Sequence, residues 1–498
     1  MDPVGVVGAG TMGVGIAQVA AVAGHPVLLH DTAPGAADRA LAGIRDRLAG
    51  QVAKGRLAAE VADSVRIAVV DRLDDLAPAR VVIEAVLEDL AVKRALFGAL
   101  EAVVAPDCVL ATNTSSLSPT AIAGPLAHPE RVVGLHFFNP VPVMPLVEVI
   151  PGLATDPAVT AAVTGLAESW GKTVVRSTPT PAFIVNRIAR PFYGEAWRLY
   201  AEGAAPPAVI DAVLTGAAGF RIGPFQVMDL VGHDVNHAVS TSVWAAFGHD
   251  PRFTPPQAQQ ELVAAGRLGR KSGHGIYRYG DGAADPAPEP LAPRPAPAEV
   301  VLRGAAGDLG TLVARCGVPA VTGGLFGDRA GGLADLAGGA LLARCDGTPA
   351  TVLAARLGVP VVLVDRTVDD AAARAVAITA SDGCPDAAVD HAVGLLQAGG
   401  LAVHRIDDAP GMIVTRTVAM LVAAAVDALQ HGVASAADID QAMRLGVSYP
   451  LGPLEWGDRW GAGTVLAVLD TLARQYGDAH YRAGPLLRRR AASGQPLA

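Results

Sequence analysis

A segment of this chain occurs twice, and the two occurrences keep a common frame. Residues 181–232 match residues 410–461, and each matched residue reappears 229 positions later. The first segment begins PAFIVNR and the second PGMIVTR, so that Asn186 is replaced by Thr415. A duplicated module in which a polar residue changes predicts one working copy and one copy kept for packing.

Length and composition limit the class of protein. A chain of 498 residues exceeds one ordinary hydrophobic core and predicts two to four domains. The net charge of −9 argues against nucleic-acid binding. The sequence has no run of about 20 uncharged apolar residues, so no membrane span is predicted. The four cysteines are scattered, as in a reducing cytosol. The first residues are predicted to form a core strand and not a signal peptide. We therefore expect a cytoplasmic protein.

The first 180 residues alternate apolar β segments with helical ones. Strands are predicted at 3–7, 26–31, 65–70, 80–86, 108–112, 132–137 and 146–150. Strands alternating with helices predict a doubly wound, parallel-rich α/β sheet.

A glycine-rich turn joins the first predicted strand to the first predicted helix. Its residues are Gly8, Gly10, Thr11, Met12 and Gly13. The glycines permit a tight turn and close approach of a pyrophosphate, and the helix N-terminus attracts the phosphates.

The second predicted strand ends at Asp31, 18 residues after Gly13. A carboxylate there accepts hydrogen bonds from the adenosine ribose and repels a 2′-phosphate, which predicts a Rossmann-type domain that binds NAD in preference to NADP. The alternative for Asp31 is a helix or turn cap.

Three further blocks carry polar residues: ATNTSSLS at 111–118, LHFFNPVPVMPLVE at 135–148, and PAFIVNR at 181–187. Each polar residue has a structural alternative. These are a strand-end cap for Ser115, a satisfied core histidine for His136, a surface charge for Glu148 and a helix N-terminal residue for Asn186. A histidine and a carboxylate that flank one proline-rich loop can also pair, since the carboxylate fixes the tautomer and raises basicity.

These blocks resemble the L-3-hydroxyacyl-CoA dehydrogenase family across residues 1–277, and their spacing is similar without gaps. The arrangement with a second helical module resembles the 3-hydroxyadipyl- and 3-hydroxybutyryl-CoA dehydrogenases of aerobic phenylacetate catabolism. The resemblance implies NAD-dependent oxidation of (S)-3-hydroxyacyl-CoA to 3-ketoacyl-CoA. It makes His136 the general base and Glu148 its partner, with Ser115 and Asn186 on the substrate oxygen.

The resemblance also implies further contacts. Glu88, Lys93 and Asn113 match residues on the cofactor side, and Lys54 falls in a helical stretch that contacts coenzyme A in relatives. The alternative for Lys54 is a solvated helix face. Ala182 departs from the family, which has glycine there. No metal site is predicted.

The second copy lacks the polar set. At the 229-residue offset Ser115, His136, Glu148 and Asn186 fall on Arg344, Asp365, Ala377 and Thr415, within a residue or two for the first three. The second copy is therefore predicted to be non-catalytic. Arg190 falls on Ala419 and is specific to the first copy. It lies four residues after Asn186, on the same helix face, which suggests a partner for a distal substrate carboxylate. The alternative is a surface or interdomain salt bridge.

The complete division predicts five segments. They are an NAD-binding domain at 1–180, an all-α domain at 181–279, a Pro/Ala linker at 280–298, a truncated α/β half-domain at 299–408 without a glycine turn, and a second all-α copy at 409–498. Counting back by 229 places the start of the half-domain at the equivalent of residue 70. It also aligns LFG at 96–98 with LFG at 325–327. The segment GAAGDLG at 304–310 is only a weak match to a dinucleotide-binding glycine turn.

In shorter relatives the helical module forms a dimer. The duplicated module predicts an intrachain pseudo-dimer, with homodimerisation of the whole chain left open. Two rival functions remain. One is a different dehydrogenase of 3-hydroxyacids or sugar acids, although those commonly use a lysine base. The other is a non-catalytic structural protein that keeps the fold, as lens crystallins related to this family do.

Overall fold

The structure is a computed structural model and describes residues 1–280, 282–283, 286–303, 307–323 and 332–498. The LFG segment at 325–327 and part of the GAAGDLG segment lie outside the described residues. Two compact units are present, one of residues 1–187 with 428–447 and the other of residues 188–427 with 448–498. No helix among the described residues has the length and apolar character needed to cross a membrane.

Eight short apolar strands form the first sheet. They are β1 (Val4–Val7), β2 (Val27–His30), β3 (Ile67–Val70), β4 (Val81–Glu84), β5 (Val109–Thr112), β6 (Val132–Phe137), β7 (Leu146–Pro151) and β8 (Thr173–Arg176). Their order is β3-β2-β1-β4-β5-β6-β7-β8. The strands from β3 to β6 are parallel, whereas β7 runs antiparallel to β6. The predicted doubly wound, parallel-rich sheet is confirmed, and β8 is an additional strand.

Six helices accompany this sheet, with an apolar core on each of its faces. They are α1 (Thr11–Val22), α2 (Ala36–Ala53), α3 (Ala59–Ser64), α4 (Leu90–Val103), α5 (Pro119–Ala123) and α6 (Pro157–Ser169). Side-chain caps fix several of their starts; the Asp89 carboxylate, for example, accepts from the N–H of Val92 at 2.9 Å at the start of α4. Such a cap determines where the loop before its helix ends.

The first helical module follows. Its helices are α7 (Val185–Ile188), α8 (Arg190–Ala201), α9 (Pro207–Gly216), α10 (Pro224–Val231), α11 (His233–Ala246) and α12 (Gln257–Ala264). Proline at the first or second position starts α8, α9 and α10, where its missing N–H costs no helical hydrogen bond.

Among the described residues the second sheet has seven strands, in the order β10-β9-β11-β12-β13-β14-β15. They are β9 (Val300–Arg303), β10 (Ala320–Thr322), β11 (Leu333–Asp335), β12 (Leu341–Arg344), β13 (Val361–Val364), β14 (Ala375–Ala380) and β15 (Ala402–Arg405). The helices α13 (Gly307–Arg315), α14 (Ala350–Leu357) and α15 (Asp386–Ala398) connect them.

The start of this domain corrects the sequence prediction. β9, α13 and β10 form a parallel β-α-β unit, since β10 pairs in parallel with β9. In the strand order this unit holds the place of β1, α1 and β2 in the first sheet. A counterpart of the first β-α-β unit is therefore present, although counting back by 229 residues predicts none.

The second helical module contains α16 (Val414–Gln430), α17 (Ala436–Val447), α18 (Pro453–Trp460), α19 (Ala462–Tyr476) and α20 (Pro485–Ser493). In the first unit α17 packs on β7 and β8, and a Cβ atom added to Gly446 would lie 2.7 Å from Leu146 Cδ2. In the second unit α9 packs on β14, where a Cβ atom on Gly216 would lie 2.6 Å from the Cβ of Ala375. Thus α9 of the first module and α17 of the second each pack on the sheet of the other copy.

A buried ion cluster joins α8 of the first module to α16 of the second. Arg416 Nε donates to Glu195 Oε2 at 2.6 Å, and Arg416 also pairs with Glu202 at 2.8 Å. His480 Nε2 lies 2.5 Å from the other oxygen of Glu195. Burial alone would raise the pKa of Glu195, but Arg416 and His480 lower it to about 2.

Candidate active site

The central pair of the site lies on two adjacent antiparallel strands. His136 of β6 stands directly opposite Glu148 of β7. His136 Nδ1 lies 2.7 Å from Glu148 Oε2, and Glu148 is fully buried. Because the carboxylate engages Nδ1, the Nε2 atom of His136 is the nitrogen left to accept a proton.

The second oxygen of Glu148 holds the start of the PAFIVNR segment. Its Oε1 atom accepts from the N–H groups of Ile184 and Val185 at 3.1 and 3.0 Å. Asn186 follows immediately and lies in α7. Glu148 therefore fixes both the imidazole of His136 and the backbone that carries Asn186.

Two aromatic rings surround the imidazole of His136. The ring centroid of Phe138 lies 4.6 Å from it and that of Phe183 lies 5.8 Å from it. Phe183 and Ala182 both have left-handed backbone, with φ of 51° and 62°. The family's glycine at position 182 therefore has a physical basis that alanine does not share.

Glu88 organises the loop that carries Ser115. Its Oε1 atom accepts from the N–H groups of Ser115 and Ser116 at 2.9 and 3.0 Å, and from the hydroxyl of Thr114 at 2.7 Å. Burial alone would raise the pKa of Glu88, but Lys93, 3.3 Å away, and the Thr114 hydroxyl lower it. The loop is thus held by an ionised carboxylate.

A buried carboxylate that sequence analysis did not select lies behind this loop. Glu84 ends β4, accepts from Lys93 Nζ at 2.5 Å and accepts from the hydroxyl of Thr112 at 2.7 Å. A glutamate inside the apolar run VVIEAV was the available signal. Asn113 Oδ1 accepts from the N–H of Phe137 at 2.9 Å, which ties the end of β5 to β6 beside His136.

The glycine turn has the shape that a dinucleotide requires. Gly8 has φ of 106°, and a Cβ atom there would lie 2.5 Å from the carbonyl oxygen of Ala85. A Cβ atom on Gly13 would lie 1.8 Å from the carbonyl oxygen of Gly8, whereas nothing lies within 4 Å of one on Gly10. The turn is therefore closed towards the protein and open at Gly10, as needed for a pyrophosphate at the N-terminus of α1.

Asp31 lies beside this turn. Its Oδ2 atom accepts from the N–H of Ala9 at 2.6 Å, and its Oδ1 atom accepts from the N–H of Ala33 at 2.8 Å. A cavity of about 440 Å³ is lined by the turn, by His30 and Asp31, and by the start of α4. These residues fit an adenosine ribose.

A second cavity of about 460 Å³ lies on the other side of the turn. Its walls are α1, α2 and the loop 139–143 that follows β6. Lys54, which follows α2, is exposed and is absent from this lining. Arg190 begins α8, is 9% exposed, and donates from Nη1 to the hydroxyl of Ser240 at 3.1 Å.

The second copy retains an anchoring carboxylate on the opposite strand. Asp365, the counterpart of His136, accepts through Oδ2 from the amides of residues 413–414 at 2.9 and 2.7 Å. In the first copy Glu148 binds the equivalent amides. The hydroxyl of Thr415 donates to Asp365 Oδ1 at 2.7 Å. Asp365 therefore performs the anchoring part of the role of Glu148, without an imidazole.

Strand register corrects one pairing between the copies. β12 is displaced by two residues relative to β13 when compared with β5 and β6. Ser115 therefore corresponds to Asp346, and Arg344 occupies the place of Asn113. Neither residue can replace the neutral hydroxyl of Ser115.

A glycine turn for a dinucleotide and a carboxylate-oriented histidine on one sheet define a nicotinamide-dependent dehydrogenase site. The NAD-binding domain model of 3-hydroxyacyl-CoA dehydrogenase matches residues 3–179, and the C-terminal domain model matches 183–279 and again 411–496. A reduced Rossmann-fold domain of 3-hydroxybutyryl-CoA dehydrogenase matches residues 342–410.

Two similar proteins match this chain over almost its whole length, and a third matches about half of it. A 3-hydroxyadipyl-CoA dehydrogenase of Escherichia coli K12 is 46% identical over 99% of this chain and 98% of its own length. The crystal structure of a 3-hydroxybutyryl-CoA dehydrogenase of Escherichia coli K12 covers 99% of both chains with a TM-score of 0.90 and 46% identity. An (S)-3-hydroxybutyryl-CoA dehydrogenase of Ralstonia eutropha matches 56% of this chain with 38% identity and a TM-score of 0.55. The chain belongs to the 3-hydroxyacyl-CoA dehydrogenase family and is an NAD-dependent oxidoreductase.

Proposed function

We propose that this chain oxidises (S)-3-hydroxyacyl-CoA to 3-ketoacyl-CoA with NAD+ and that His136 is the general base. The observation that carries the proposal is the 2.7 Å contact between His136 Nδ1 and Glu148 Oε2, which leaves Nε2 to take a proton. Glu148 is the positioning residue, because it binds His136 and the backbone before Asn186 together.

The chemistry is a proton transfer coupled to a hydride transfer. His136 Nε2 removes the proton of the 3-hydroxyl, and the O–H electron pair forms the carbonyl as the C3–H bond breaks. NAD+, held through the glycine turn and Asp31, would supply the acceptor for that hydrogen and its electron pair. Ser115 and Asn186 donate hydrogen bonds to the substrate oxygen and hold it beside His136.

The cofactor contacts follow from the turn and the Ser115 loop. Gly8, Gly10, Thr11, Met12 and Gly13 bind the pyrophosphate, and Asp31 binds the adenosine ribose. Glu88, Lys93 and Asn113 lie on the nicotinamide side, and for the exposed Lys54 a solvated helix face is favoured over a contact with coenzyme A. The carboxylate of Asp31 repels a 2′-phosphate, so NAD is preferred over NADP.

The substrate class extends to a distal carboxylate. One Escherichia coli relative that is similar over its full length is a 3-hydroxyadipyl-CoA dehydrogenase, and at the position of Arg190 the second copy has Ala419. The test compares Arg190→Ala on 3-hydroxyadipyl-CoA and 3-hydroxybutyryl-CoA. A loss confined to the adipyl substrate supports the assignment, and equal losses contradict it.

The second copy acts as an intrachain packing partner. The ion cluster of Glu195, Arg416 and His480 and the reciprocal packing of α9 and α17 support this pseudo-dimer. The five segments 1–180, 181–279, 280–298, 299–408 and 409–498 remain our proposed division.

The proposed activity is tested by NADH absorbance with acetoacetyl-CoA and then with a panel of C4 to C16 3-hydroxyacyl-CoAs. Turnover that depends on the acyl-CoA supports the proposal. Bound NAD without turnover of any acyl-CoA would favour a structural, non-catalytic role. Turnover of free 3-hydroxyacids instead would favour the other dehydrogenase class.

A further inference from the structure

Lys172 is a buried cation outside the polar set of the proposed reaction. It precedes β8 and is 8% exposed. Its Nζ atom donates to the carbonyl oxygens of Val141 and Met144 at 2.5 and 2.8 Å. Among the described residues, Lys172 has no carboxylate partner. Burial lowers its pKa, so the fold places an ammonium at an energetic cost where only main-chain oxygens receive it.

Those oxygens belong to the loop that follows the strand of His136. The N–H groups of Val143 and Met144 both donate to the carbonyl oxygen of Pro140 at 2.9 Å, which closes a single turn. A turn leaves carbonyl groups without internal partners, as a helix C-terminus does. Lys172 supplies the missing donors.

The opposite side of this loop packs against α1, the helix that follows the glycine turn. The side chain of Val141 is 2% exposed, and a Cβ atom on Gly15 of α1 would lie 2.8 Å from the Cβ of Val141. The loop is therefore held between α1 and Lys172. It forms one wall of the 460 Å³ cavity beside the glycine turn.

From this geometry we propose that Lys172 is a positioning residue for substrate binding, which holds the loop 139–144 as a rigid wall of that cavity. The proposal rests on the proposed function, because the loop directly follows the strand of His136, to which the acyl-CoA must be brought. Two charge-assisted hydrogen bonds are stronger than neutral ones, and a wall displaced by about 1 Å costs on the order of 100-fold in rate.

The test compares Lys172→Met with Lys172→Arg in the full chain. Methionine keeps the length of the side chain and removes its donors, whereas arginine retains donors for both carbonyls. The control is Lys271→Met, because Lys271 is exposed and pairs with Asp234. Hydrogen exchange of the amides of Val143 and Met144 reports the loop directly, and it requires no substrate.

For Lys172→Met we expect faster exchange of these two amides and kcat/KM lower by about 100-fold, mainly through a higher KM for the acyl-CoA. The KM for NAD+ should change less than that for the acyl-CoA. Lys172→Arg should recover part of the activity and the protection. Unchanged kcat/KM in Lys172→Met, or a loss of activity with unchanged loop exchange, overturns the proposal. An inactive wild-type chain would refute the proposed function and leave the exchange experiment to decide the role of Lys172 in the loop.

Discussion

The main-chain N–H of Thr178 donates a 2.8 Å hydrogen bond to the carbonyl oxygen of Val433. The residues 229 positions away repeat this bond with the two copies exchanged. The N–H of Asp407, the counterpart of Thr178, donates to the carbonyl oxygen of Ala204, the counterpart of Val433, at 2.9 Å. In a two-fold symmetric dimer each contact occurs twice with the partners exchanged. One chain here contains both members of such a pair, as expected for a duplicated module that replaces a partner subunit.

Glu148→Gln tests the orientation of the histidine. We expect kcat to fall by about 100-fold or more, since a neutral amide no longer stabilises the imidazolium that forms when His136 takes a proton. Asp365→Asn is the matched control, because Asp365 anchors the corresponding backbone in the second copy. Stopped-flow NADH formation measures both variants. Equal losses of kcat in the two variants would contradict a specific role of Glu148 in the reaction.

Ala182→Gly tests the strained turn before Asn186. Ala182 has φ of 62°, and its counterpart Gly411 has φ of 74°. Glycine at position 182 should raise the free energy of unfolding by about 1 kcal/mol, since alanine is disfavoured in this conformation. Gly411→Ala should lower it, because a Cβ atom there would lie 2.9 Å from Leu472 Cδ2. Denaturant midpoints measure the two changes, and destabilisation by Ala182→Gly would contradict the account.

Gly446→Ala tests whether the second copy supports the catalytic strands. The added Cβ atom would lie 2.7 Å from Leu146, two residues before Glu148, and 3.0 Å from Val185, which directly precedes Asn186. We expect a loss of stability of about 1–3 kcal/mol from overpacking and a lower kcat/KM. Gly165→Ala in α6 is the control, because nothing lies within 4 Å of its Cβ position. Steady-state kinetics that do not distinguish the two variants would argue against this support.

The Glu195 cluster predicts an acid dependence of stability. The folded pKa of Glu195 is about 2, and an unfolded glutamate has a pKa of about 4.3. Because the folded pKa is the lower one, the stabilisation is complete above about pH 4.3 and is lost as the pH falls towards 2. The difference between the folded and unfolded pKa values corresponds to roughly 3 kcal/mol of stability at neutral pH.

Glu195→Gln should remove most of that dependence. The variant is expected to be less stable than wild type at neutral pH, with the difference narrowing as the pH falls below about 4. Unfolding midpoints measured across this range decide the matter. Parallel pH profiles for the two proteins would show that Glu195 does not contribute the acid-labile stability.

Local pattern was sufficient to predict much of the site. His136 and Glu148 lie on consecutive strands joined by one short loop, so a direct pair was a reasonable inference from sequence. The glycine turn was predictable because its strand, turn and helix are contiguous. Glu84 and Lys172 were missed because their partners lie on other elements, and only tertiary structure brings these groups together.

Two features of the second copy could not be predicted from the sequence. The β-α-β unit of β9, α13 and β10 has the topology of the first domain without its spacing, so counting back by a fixed offset did not find it. Asp365 could not be predicted either. The anchoring carboxylate is Glu148 on β7 in the first copy and Asp365 beside β13 in the second, yet both hold the equivalent backbone amides. A residue-by-residue alignment records this as two substitutions, whereas in the structure the anchor is retained.

In the proposed function one copy of the module performs the chemistry through His136, while the other serves packing. The most direct measurement is NADH formation from (S)-3-hydroxybutyryl-CoA by His136→Gln, together with NAD+ binding to the same variant. We predict a loss of kcat on the order of 10³-fold with NAD+ affinity unchanged. Near wild-type turnover by the variant would contradict the account, because no other residue in either copy is assigned to take the proton.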